Sequence, residues 1–330
     1  MDQMSATVIR EPGGPEVLEI QQRPLPQPGP GEIRVRVRAA GVNRADLLQR
    51  RGQYPAPLGW PVDIPGLEYA GEVDALGEGA GAWTRGDRVM GLVGGGGYAE
   101  YVTVDEREAI RIPERLSFEE AAAVPEVFIT AHDALFTQLQ LTEGERLLIH
   151  AVGSGVGTAG LQLAKAAGAT VFGTSRTAWK LKRARELGLD SGIDTPEFDF
   201  AQEVMRLTGH EGVHVILDLV GGAYLAGNLG SLAVKGRMAV VGLTAGSAAE
   251  IDLAVLLRRR LTVIGTSLRL RSQEEKIAAA RAFDEGAGEL LASGRVRPIV
   301  DRAYPLEEAV EAHRRMEANA NFGKLILTTI

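Results

Sequence analysis

A glycine-rich turn that joins an apolar run to a helical pattern constrains the fold of this chain more than any other feature. Residues 147–152 are LLIHAV, and GSGVG and then TAGLQLAK follow them, so that Gly155, Gly157 and Gly160 have the spacing G-x-G-x-x-G. A helix N-terminus offers unpaired N–H groups and partial positive charge to a pyrophosphate, and glycine allows the close approach. Because the spacing lies between a strand and a helix, it predicts a dinucleotide site, with an ordinary tight turn as the alternative. The residues of the predicted turn site are Ser154, Gly155, Val156 and Gly157.

Strand-like and helical patterns alternate along the second half of the chain. Predicted strands cover 147–152, 171–174, 214–220, 238–241, 261–265 and 324–328, and predicted helices cover 130–139, 156–167, 178–187, 225–232, 273–292 and 306–319. Before these, helices are predicted at 43–51 and, after a capping box of Ser117 and Glu120, at 118–124. Apolar strands that alternate with helices are typical of a parallel sheet covered on both faces. The first 125 residues instead contain short strand-like runs that glycine and proline separate. The sequence therefore predicts an α/β protein with a mostly β domain and a doubly wound parallel-sheet domain.

Composition excludes several classes of function. The 330 residues include no cysteine, so disulfides, thiolate metal sites and cysteine nucleophiles are excluded. The formal net charge of −7 disfavours a nucleic-acid partner, which normally meets a basic face. No apolar run approaches the ~20 residues of a membrane span, and the N-terminus lacks the pattern of a secretory signal. We therefore expect a cytoplasmic protein with no membrane partner.

The end of the strand after the turn predicts which dinucleotide binds. NAD sites usually place an acid about 20 residues past the turn to hold the ribose 2′-hydroxyl, and this chain has none there. Arg176 and Lys180 are instead available to a 2′-phosphate, with Ser175 and Thr177 as hydroxyl donors. This favours NADPH over NADH, although Lys180 and Arg176 are also compatible with a solvated helix face.

Two later strand ends are candidates for lining the same cofactor. Ligands of open parallel sheets bind beyond the carboxyl ends of the strands. Asp218 ends one predicted strand, and Gly242 and Leu243 follow the next. We expect Gly242 and Leu243 to contact the cofactor, whereas Asp218 is equally compatible with a loop hydrogen bond or a helix cap.

Motifs along the whole chain carry a family resemblance. They are REPGGPEVL at 10–18, AGVNRAD at 40–46, QRRGQYP at 49–55, GGGGYAEY at 94–101, SGVGTA at 154–159 and MEAN at 316–319, which leads to Gly323 and Lys324. With these motifs the chain resembles the zinc-independent, zeta-crystallin-like quinone oxidoreductases of the medium-chain dehydrogenase/reductase superfamily. It is most similar to the branch typified by the tumour-suppressor-inducible quinone oxidoreductase.

The resemblance implies a fold and a set of site residues. It implies a GroES-like substrate domain over 1–125, to which 266–330 returns, and a Rossmann domain over 126–265 that binds NADPH. Matching positions place Asn43 and Tyr54 beside the nicotinamide and the substrate as catalytic residues. The other cofactor residues that the resemblance implies are Thr130, Thr177, Lys180, Ser267, Leu268, Asn321, Phe322 and Lys324. Relatives often have a glycine at Arg176 and a tyrosine near 193–195, and neither is present here.

The same resemblance indicates whether a metal ion takes part and which acceptors can be reduced. Zinc alcohol dehydrogenases of the superfamily place a cysteine near position 43 and a histidine near 67, where this chain has Asn43 and Leu67. Catalytic zinc needs about three protein ligands, so we expect no metal, and Glu68 is interpreted as a hydrogen-bonding or ion-pairing residue. A quinone or activated enone accepts a hydride without a Lewis acid. We expect Tyr54 to donate a hydrogen bond to the acceptor and Asn43 to orient Tyr54 or the cofactor, although Asn43 also suits a helix N-cap and Tyr54 a packed loop.

Three functions remain open from the sequence. The first is NADPH-dependent quinone reduction, the second is reduction of enoyl or 2-alkenal substrates, and the third is a non-catalytic NADPH-binding role. The family pairs as homodimers through an edge of the Rossmann sheet, and the apolar run 261–264 is the candidate edge strand, unless it is a buried terminal strand.

Overall fold

The structure is a computed structural model that describes residues 2–195 and 199–329. Contacts divide the chain into two compact units. The first comprises Met1–Ile129, Arg269–Ala292 and Pro298–Ile330, and the second comprises Thr130–Leu268 and Ser293–Arg297. Contacts thus set the divisions a few residues later than the sequence boundaries at 125 and 265.

The N-terminal part of the first unit is mostly β. Its strands are β1 Gln3–Ile9, β2 Leu18–Pro24, β3 Glu32–Val42, β4 Glu68–Leu76, β5 Arg88–Leu92, β6 Tyr101–Asp105 and β7 Ile110–Arg111. Its helices are α1 Arg44–Arg50, α2 Phe118–Ala121 and α3 Pro125–His132, the last of which continues into the second unit. In β3, Ile33, Val35 and Val37 are buried while Arg34 and Arg36 alternate with them, the period expected when one face of a sheet covers a core.

The second unit is a six-stranded parallel sheet with helices between the strands. In chain order the elements are β8 Arg146–Ile149, α4 Gly155–Ala166, β9 Thr170–Ser175, α5 Ala178–Arg185, β10 Ser191–Asp194, α6 Ala201–Leu207, β11 Val213–Asp218, α7 Leu225–Ser231, β12 Leu232–Val240, α8 Leu253–Arg259 and β13 Thr262–Gly265. The strand order β10-β9-β8-β11-β12-β13 is that of a doubly wound dinucleotide-binding sheet. Leu148 in β8 and Ile216 in β11 are fully buried, as the central strands of such a sheet require. The predicted α/β fold is confirmed.

The C-terminal segments complete the first unit. They are α9 Gln273–Ala292, β14 Val300–Pro305, α10 Ala309–Glu317 and β15 Lys324–Thr328. β15 pairs antiparallel with β3, so the sheet of this unit has the order β14-β15-β3-β4-β5-β7, and β6 also pairs with β3. This pairing brings Lys324, from the end of the chain, to the C-terminal end of β3 beside Asn43.

Several predicted elements differ from the observed ones. The helix predicted at 130–139 is instead the end of α3 followed by a π-helical turn over Asp133–Gln138, in which Leu139 N donates to the carbonyl of Ala134. The strand predicted at 238–241 is the end of the longer β12, which Lys235 interrupts with a φ of 63°. The sequence did not predict β10 or α6, because these short elements carry many polar residues.

The glycine run at 94–97 is a loop, but it is buried. Gly96 N donates to the carbonyl of Ile64 at 2.9 Å, and Gly97 N donates to that of Gly66 at 3.2 Å. The run therefore packs inside the first unit. Across residues 2–195 and 199–329, no helix combines the length and apolarity needed to cross a bilayer.

Candidate cofactor site and buried polar network

The glycine-rich turn between β8 and α4 has the geometry of an anion site. Ala151 opens it in the left-handed region, with a φ of 49°, and Ser154 caps α4 by accepting the N–H of Gly157 at 3.1 Å. A Cβ on Gly157 would lie 2.5 Å from the carbonyl oxygen of Ala151. Only glycine therefore fits at position 157 of the helix.

Two backbone donors remain open at this helix end. The N–H groups of Gly155 and Val156 have no hydrogen-bond partner among the described residues, whereas Ser154 satisfies those of Gly157 and Thr158. A helix N-terminus with unpaired donors and a positive dipole end suits a pyrophosphate. Ser154 is thus the cap of the predicted site, and the N–H groups of Gly155 and Val156 are available to a ligand.

A fully buried polar chain supports the turn from beneath. His150 Nε2–H donates to Asn228 Oδ1 at 2.6 Å, Thr174 Oγ1 donates to His150 Nδ1 at 2.9 Å, and Asn228 Nδ2 donates to Asp218 Oδ2 at 3.0 Å. Burial lowers the pKa of His150 to about 4, with the Asp218 carboxylate opposing the shift. His150 is therefore neutral, and the chain fixes its tautomer.

Asp218 belongs to this chain as a loop acceptor. Its other carboxylate oxygen, Oδ1, accepts the N–H groups of Val220 at 2.8 Å and Gly221 at 3.0 Å. The hydrogen-bonding interpretation of Asp218 is confirmed.

The end of β9 presents the residues predicted to meet a 2′-phosphate. Arg176 and Thr177 are exposed, and the Lys180 ammonium lies 5.4 Å from the centroid of the Trp179 ring. Ser175 is only 7% exposed, and its hydroxyl accepts the N–H of Thr177 at 3.2 Å. The hydroxyl of Ser175 therefore shapes this loop, while Arg176 and Thr177 face solvent.

A tyrosine from another element lies at the end of β10, near the position where the family resemblance implied one. Tyr224, which precedes α7, donates from its hydroxyl to Thr195 Oγ1 at 3.1 Å and packs against His150. Because Tyr224 is 2% exposed, it supports the end of β10 from inside.

The remaining predicted cofactor residues of the second unit differ in exposure. Leu243 is 55% exposed just after β12, and Gly242 beside it is half-buried. Ser267 is exposed, whereas Leu268 and Thr130 are 6% and 8% exposed. Leu243 and Ser267 therefore offer the most side-chain surface to a ligand.

In the first unit, Asn43, Glu68 and Lys324 form a closed buried triad. Asn43 Nδ2 donates to Glu68 Oε1 at 2.8 Å, and Lys324 Nζ donates to Asn43 Oδ1 at 2.7 Å. The Lys324 ammonium also lies 2.7 Å from Glu68 Oε1 and donates to the carbonyl of Val42 at 2.8 Å. The ion-pairing interpretation of Glu68 is confirmed, and the donors of Lys324 are engaged inside the unit.

Asn43 is also the N-cap of α1, as expected. Its N–H donates to Asp46 Oδ2 at 2.8 Å, the reciprocal contact of a capping box. Because the side chain of Asn43 is committed to Glu68 and Lys324, it does not orient Tyr54, which Arg269 contacts instead.

A second buried chain leads from Asp46 toward the surface. Tyr98 donates to Asp46 Oδ2 at 2.9 Å and accepts from His313 Nε2–H at 3.1 Å, and Arg50 Nη1 donates to His313 Nδ1 at 3.1 Å. Arg50 ends the chain in an ion pair with Glu317. Burial raises the pKa of Asp46 to about 6, while burial and the Arg50 charge lower that of His313 to about 3.

Sequence reasoning missed Arg269 and Glu126. Arg269 Nη1 donates to the carbonyl of Tyr54 at 3.2 Å, and its Cζ lies 4.7 Å from the centroid of the Tyr54 ring. Glu126 donates its N–H to Glu68 Oε2 at 2.7 Å, and burial together with the Glu68 charge raises the pKa of its carboxyl to about 8. Neither residue lies in a motif that carries the resemblance, and Glu126 precedes the helix predicted from residue 130.

Asn321 and Phe322 bond within their own unit. Asn321 Nδ2 donates to the carbonyl of Gly323 at 2.8 Å, and the N–H of Phe322 donates to Asp301 Oδ1 at 3.1 Å. Their side chains are 8% and 1% exposed, so they shape the loop before Lys324.

The donor set at positions 43 and 67 does not fit zinc. Asn43 is hydrogen-bonded to Lys324, the side chain of Leu67 has no atom that could bind a metal, and the Lys324 ammonium pairs with the Glu68 carboxylate. Across the part of the chain that the structure describes, no three His, Asp or Glu side chains cluster as metal ligands. We therefore derive no chemistry through a metal ion here.

Two family models match the chain. The model described as alcohol dehydrogenase GroES-like domain matches residues 29–114, and the model described as zinc-binding dehydrogenase matches residues 155–284. Human quinone oxidoreductase is 31% identical over 329 residues, which cover 98% of this chain and 97% of that protein.

Solved structures share the whole fold. The mycobacterial protein Rv1454c, solved with NADPH, superposes with a TM-score of 0.88 at 33% identity, covering 98% of this chain and all of that one. The enoyl reductase CurK superposes with a TM-score of 0.89 at 27% identity and covers all of both chains.

Proposed function

The chain belongs to the zeta-crystallin-like quinone oxidoreductase family of the medium-chain dehydrogenase/reductase superfamily, and we propose that it reduces quinones with NADPH, without a metal ion. Family membership makes it an oxidoreductase that uses a nicotinamide cofactor. The choice of NADPH, the quinone acceptor and the roles of single residues are the proposal.

The Asn43–Glu68–Lys324 triad carries the proposal that no metal takes part. A zinc-dependent alcohol oxidation uses the metal as a Lewis acid for the developing alkoxide, and here an ammonium fills the place beside the only carboxylate of the expected ligand set. An electron-poor acceptor such as a quinone delocalises the charge it receives. It therefore needs a held cofactor and an ordered hydrogen-bond donor more than it needs a cation of high charge density.

Different residues of the second unit would hold different parts of NADPH. The open N–H groups of Gly155 and Val156 suit its pyrophosphate, and the exposed Arg176 and Thr177 suit its 2′-phosphate, with Lys180 nearby. Thr130, Gly242, Leu243, Ser267 and Leu268 are proposed to flank the nicotinamide half. When bound, the reduced nicotinamide supplies the hydride.

Residues of the first unit would bind the acceptor and hold the loops around it. Tyr54 is half-buried in a loop that Arg269 holds, and we assign its hydroxyl to the acceptor oxygen. Asn43 keeps the end of β3 and the start of α1 in place through its bonds to Glu68, Lys324 and Asp46. Asn321, Phe322 and Lys324 shape the neighbouring loop.

An acceptor screen tests this function. Oxidation of NADPH and of NADH is followed with 1,2-naphthoquinone and with crotonyl and 2-alkenal substrates, before and after treatment with a metal chelator. We expect quinone-dependent oxidation of NADPH that exceeds that of NADH and is insensitive to the chelator. Loss of activity on chelation, or a faster reaction with NADH, would contradict the proposal.

Reduction of an activated carbon–carbon double bond is the second candidate, because the similarity to the enoyl reductase CurK covers both chains completely. A higher kcat/KM for crotonyl or alkenal substrates than for quinones would establish it. Tight NADPH binding without oxidation by any acceptor would instead indicate a non-catalytic protein.

We also propose a homodimer through β13. This strand is the edge of the six-stranded sheet, Val263 and Ile264 in it are half-buried, and Thr262 is exposed. An edge strand with open backbone groups pairs readily with a second copy. Light scattering of the protein and of Ile264→Lys tests it, and an unchanged mass for the variant would contradict it.

A further inference from the structure

Arg269 is a buried arginine whose side-chain hydrogen bonds all end on uncharged oxygens. Its side chain is largely inaccessible, at 6% exposure. Nε and Nη2 donate to the carbonyl of Gly94 at 3.2 and 3.0 Å, Nη2 donates to Gln49 Oε1 at 2.6 Å, and Nη1 donates to the carbonyl of Tyr54 at 3.2 Å. Its guanidinium also stacks on the Tyr54 ring at 4.7 Å. Arg269 thus connects α1, the Tyr54 loop and the buried glycine run.

The other buried cations of this unit have a carboxylate partner, and Arg269 does not. Arg50 pairs with Glu317, and Lys324 pairs with Glu68. Among the described residues, no carboxylate lies within ion-pair distance of Arg269; Asp46 and Glu126 act on it only through space. Burying a charge without a counterion is costly, and a neutral side chain of similar length would hold a loop at lower cost. The retained charge therefore points to a role beyond packing.

We propose that Arg269 is a positioning residue for the reaction, which holds Tyr54 and directs a positive charge onto the face of its ring. This inference rests on the proposed function, because it concerns the tyrosine assigned to the acceptor oxygen. A cation over a phenol ring draws electron density from it and makes its O–H a better hydrogen-bond donor. The benefit appears as negative charge develops on the acceptor oxygen during hydride transfer.

If Arg269 acts through its charge, the loss of kcat on its removal should depend on which acceptor is reduced. A purely structural role predicts no such dependence. A quinone delocalises the incoming charge well, whereas a 2-alkenal concentrates it on one oxygen. Loss of the Arg269 charge should therefore slow the weaker acceptor more. A loop that is merely misplaced would slow both acceptors by a similar factor.

The experiment compares Arg269→Met and Arg269→Lys with the wild type, with Arg281→Met as a control on the exposed side of α9. For Arg269→Met we expect kcat with the quinone to fall roughly tenfold and kcat with the alkenal to fall several times further, with an unchanged KM for NADPH. Arg269→Lys should recover part of kcat, because it keeps the charge. Equal losses with both acceptors, or no recovery by lysine, would overturn the proposal.

Combination with Tyr54→Phe tests whether Arg269 acts through Tyr54. If it does, adding Arg269→Met to Tyr54→Phe should lower kcat much less than it does in the wild type. Fully additive losses would overturn the proposal.

A measurement without turnover separates this inference from the proposed function. The protein is labelled with 3-fluorotyrosine, and the Tyr54 resonance is assigned as the one absent from Tyr54→Phe. We expect Arg269→Met to shift that resonance and Arg281→Met to leave it in place. An unshifted resonance refutes the contact, whereas a wild type that reduces no acceptor refutes the proposed function alone.

Discussion

The two units treat their polar groups in opposite ways. In the first unit, the buried charges of Lys324 and Arg50 are matched by Glu68 and Glu317, and a capping box and a tyrosine bind the buried Asp46. In the second unit, the buried chain beneath the turn is uncharged at His150, and the turn above it leaves backbone donors open.

The difference shows what each region is prepared to meet. The proposed cofactor carries its own phosphates and would supply the missing counter-charge, which fits the unpaired donors and the exposed Arg176 of the second unit. The proposed acceptor carries no charge to offer, which fits a first unit that pairs the buried ions of Lys324 and Arg50 within itself. The exception in the first unit is Arg269, and that exception is the basis of the further inference.

Removal of Lys324 should have the largest effect. Lys324→Met leaves the Glu68 carboxylate buried without its cation, and we expect a loss of about 3–5 kcal/mol in the free energy of unfolding, measured with urea. Glu68→Gln combined with Lys324→Met should restore much of it. The matched control is Arg206→Met, which breaks the exposed Glu203–Arg206 pair and should leave the free energy of unfolding almost unchanged. Equal losses from both single variants would remove the contrast between buried and exposed pairs.

The pH dependence of stability should have opposite signs in the two units. The pKa of His150 falls from 6.5 to about 4 on folding, so its contribution is present above pH 6.5 and is lost as the pH falls toward 4. The pKa of Asp46 rises from 3.8 to about 6, so its contribution is present below pH 3.8 and is lost as the pH rises toward 6. Each of these two pKa shifts corresponds to a change of about 3 kcal/mol in the free energy of unfolding.

Two variants isolate these contributions. The difference in unfolding free energy between the wild type and His150→Gln should shrink as the pH falls, and that between the wild type and Asp46→Asn should shrink as the pH rises. If both differences in unfolding free energy changed in the same direction with pH, the expected opposite signs in the two units would be wrong.

Gly157→Ala should weaken the binding of NADPH at the turn of the second unit without affecting the buried ion pairs of the first unit. Its Cβ would lie 2.5 Å from the carbonyl oxygen of Ala151, so the turn must open at a cost of about 1–3 kcal/mol. We expect NADPH affinity, measured by fluorescence titration, to fall roughly tenfold or more. Gly230→Ala on α7, where a Cβ meets open space, is the control and should bind normally. Unchanged affinity in Gly157→Ala would refute the close approach at the turn.

Arg176→Ala should have the smallest effect, because the residue is exposed. We expect the ratio of kcat/KM for NADPH to that for NADH to fall roughly tenfold, about the value of one charge-assisted contact with a 2′-phosphate. Stability should not change. If the ratio stays the same, Thr177 and Lys180 rather than Arg176 carry the preference.

The candidate site was predictable where it depends on local sequence. The glycine turn and the absence of an acid after β9 lie within about 30 consecutive residues, and backbone geometry follows from such short stretches. Arg269 was not predictable, because its partners Gly94, Tyr54 and Gln49 lie 175, 215 and 220 residues away. Similarly, the bond between His150 and Asn228 joins residues 78 positions apart.

The sequence by itself determined the α/β fold, the glycine-rich turn between β8 and α4 and the lack of a cysteine and a histidine at positions 43 and 67, since each depends on residue type at fixed spacing. Only the tertiary structure decided which buried charges are paired. Pairing β15 with β3 brings Lys324 to Glu68 and Asn43, and no spacing along the chain encodes that contact. The physical reason is that the free energy of a buried charge depends on its distance, within a few ångströms, from opposite charges and hydrogen-bond partners. Folding sets those distances between residues that are remote in sequence.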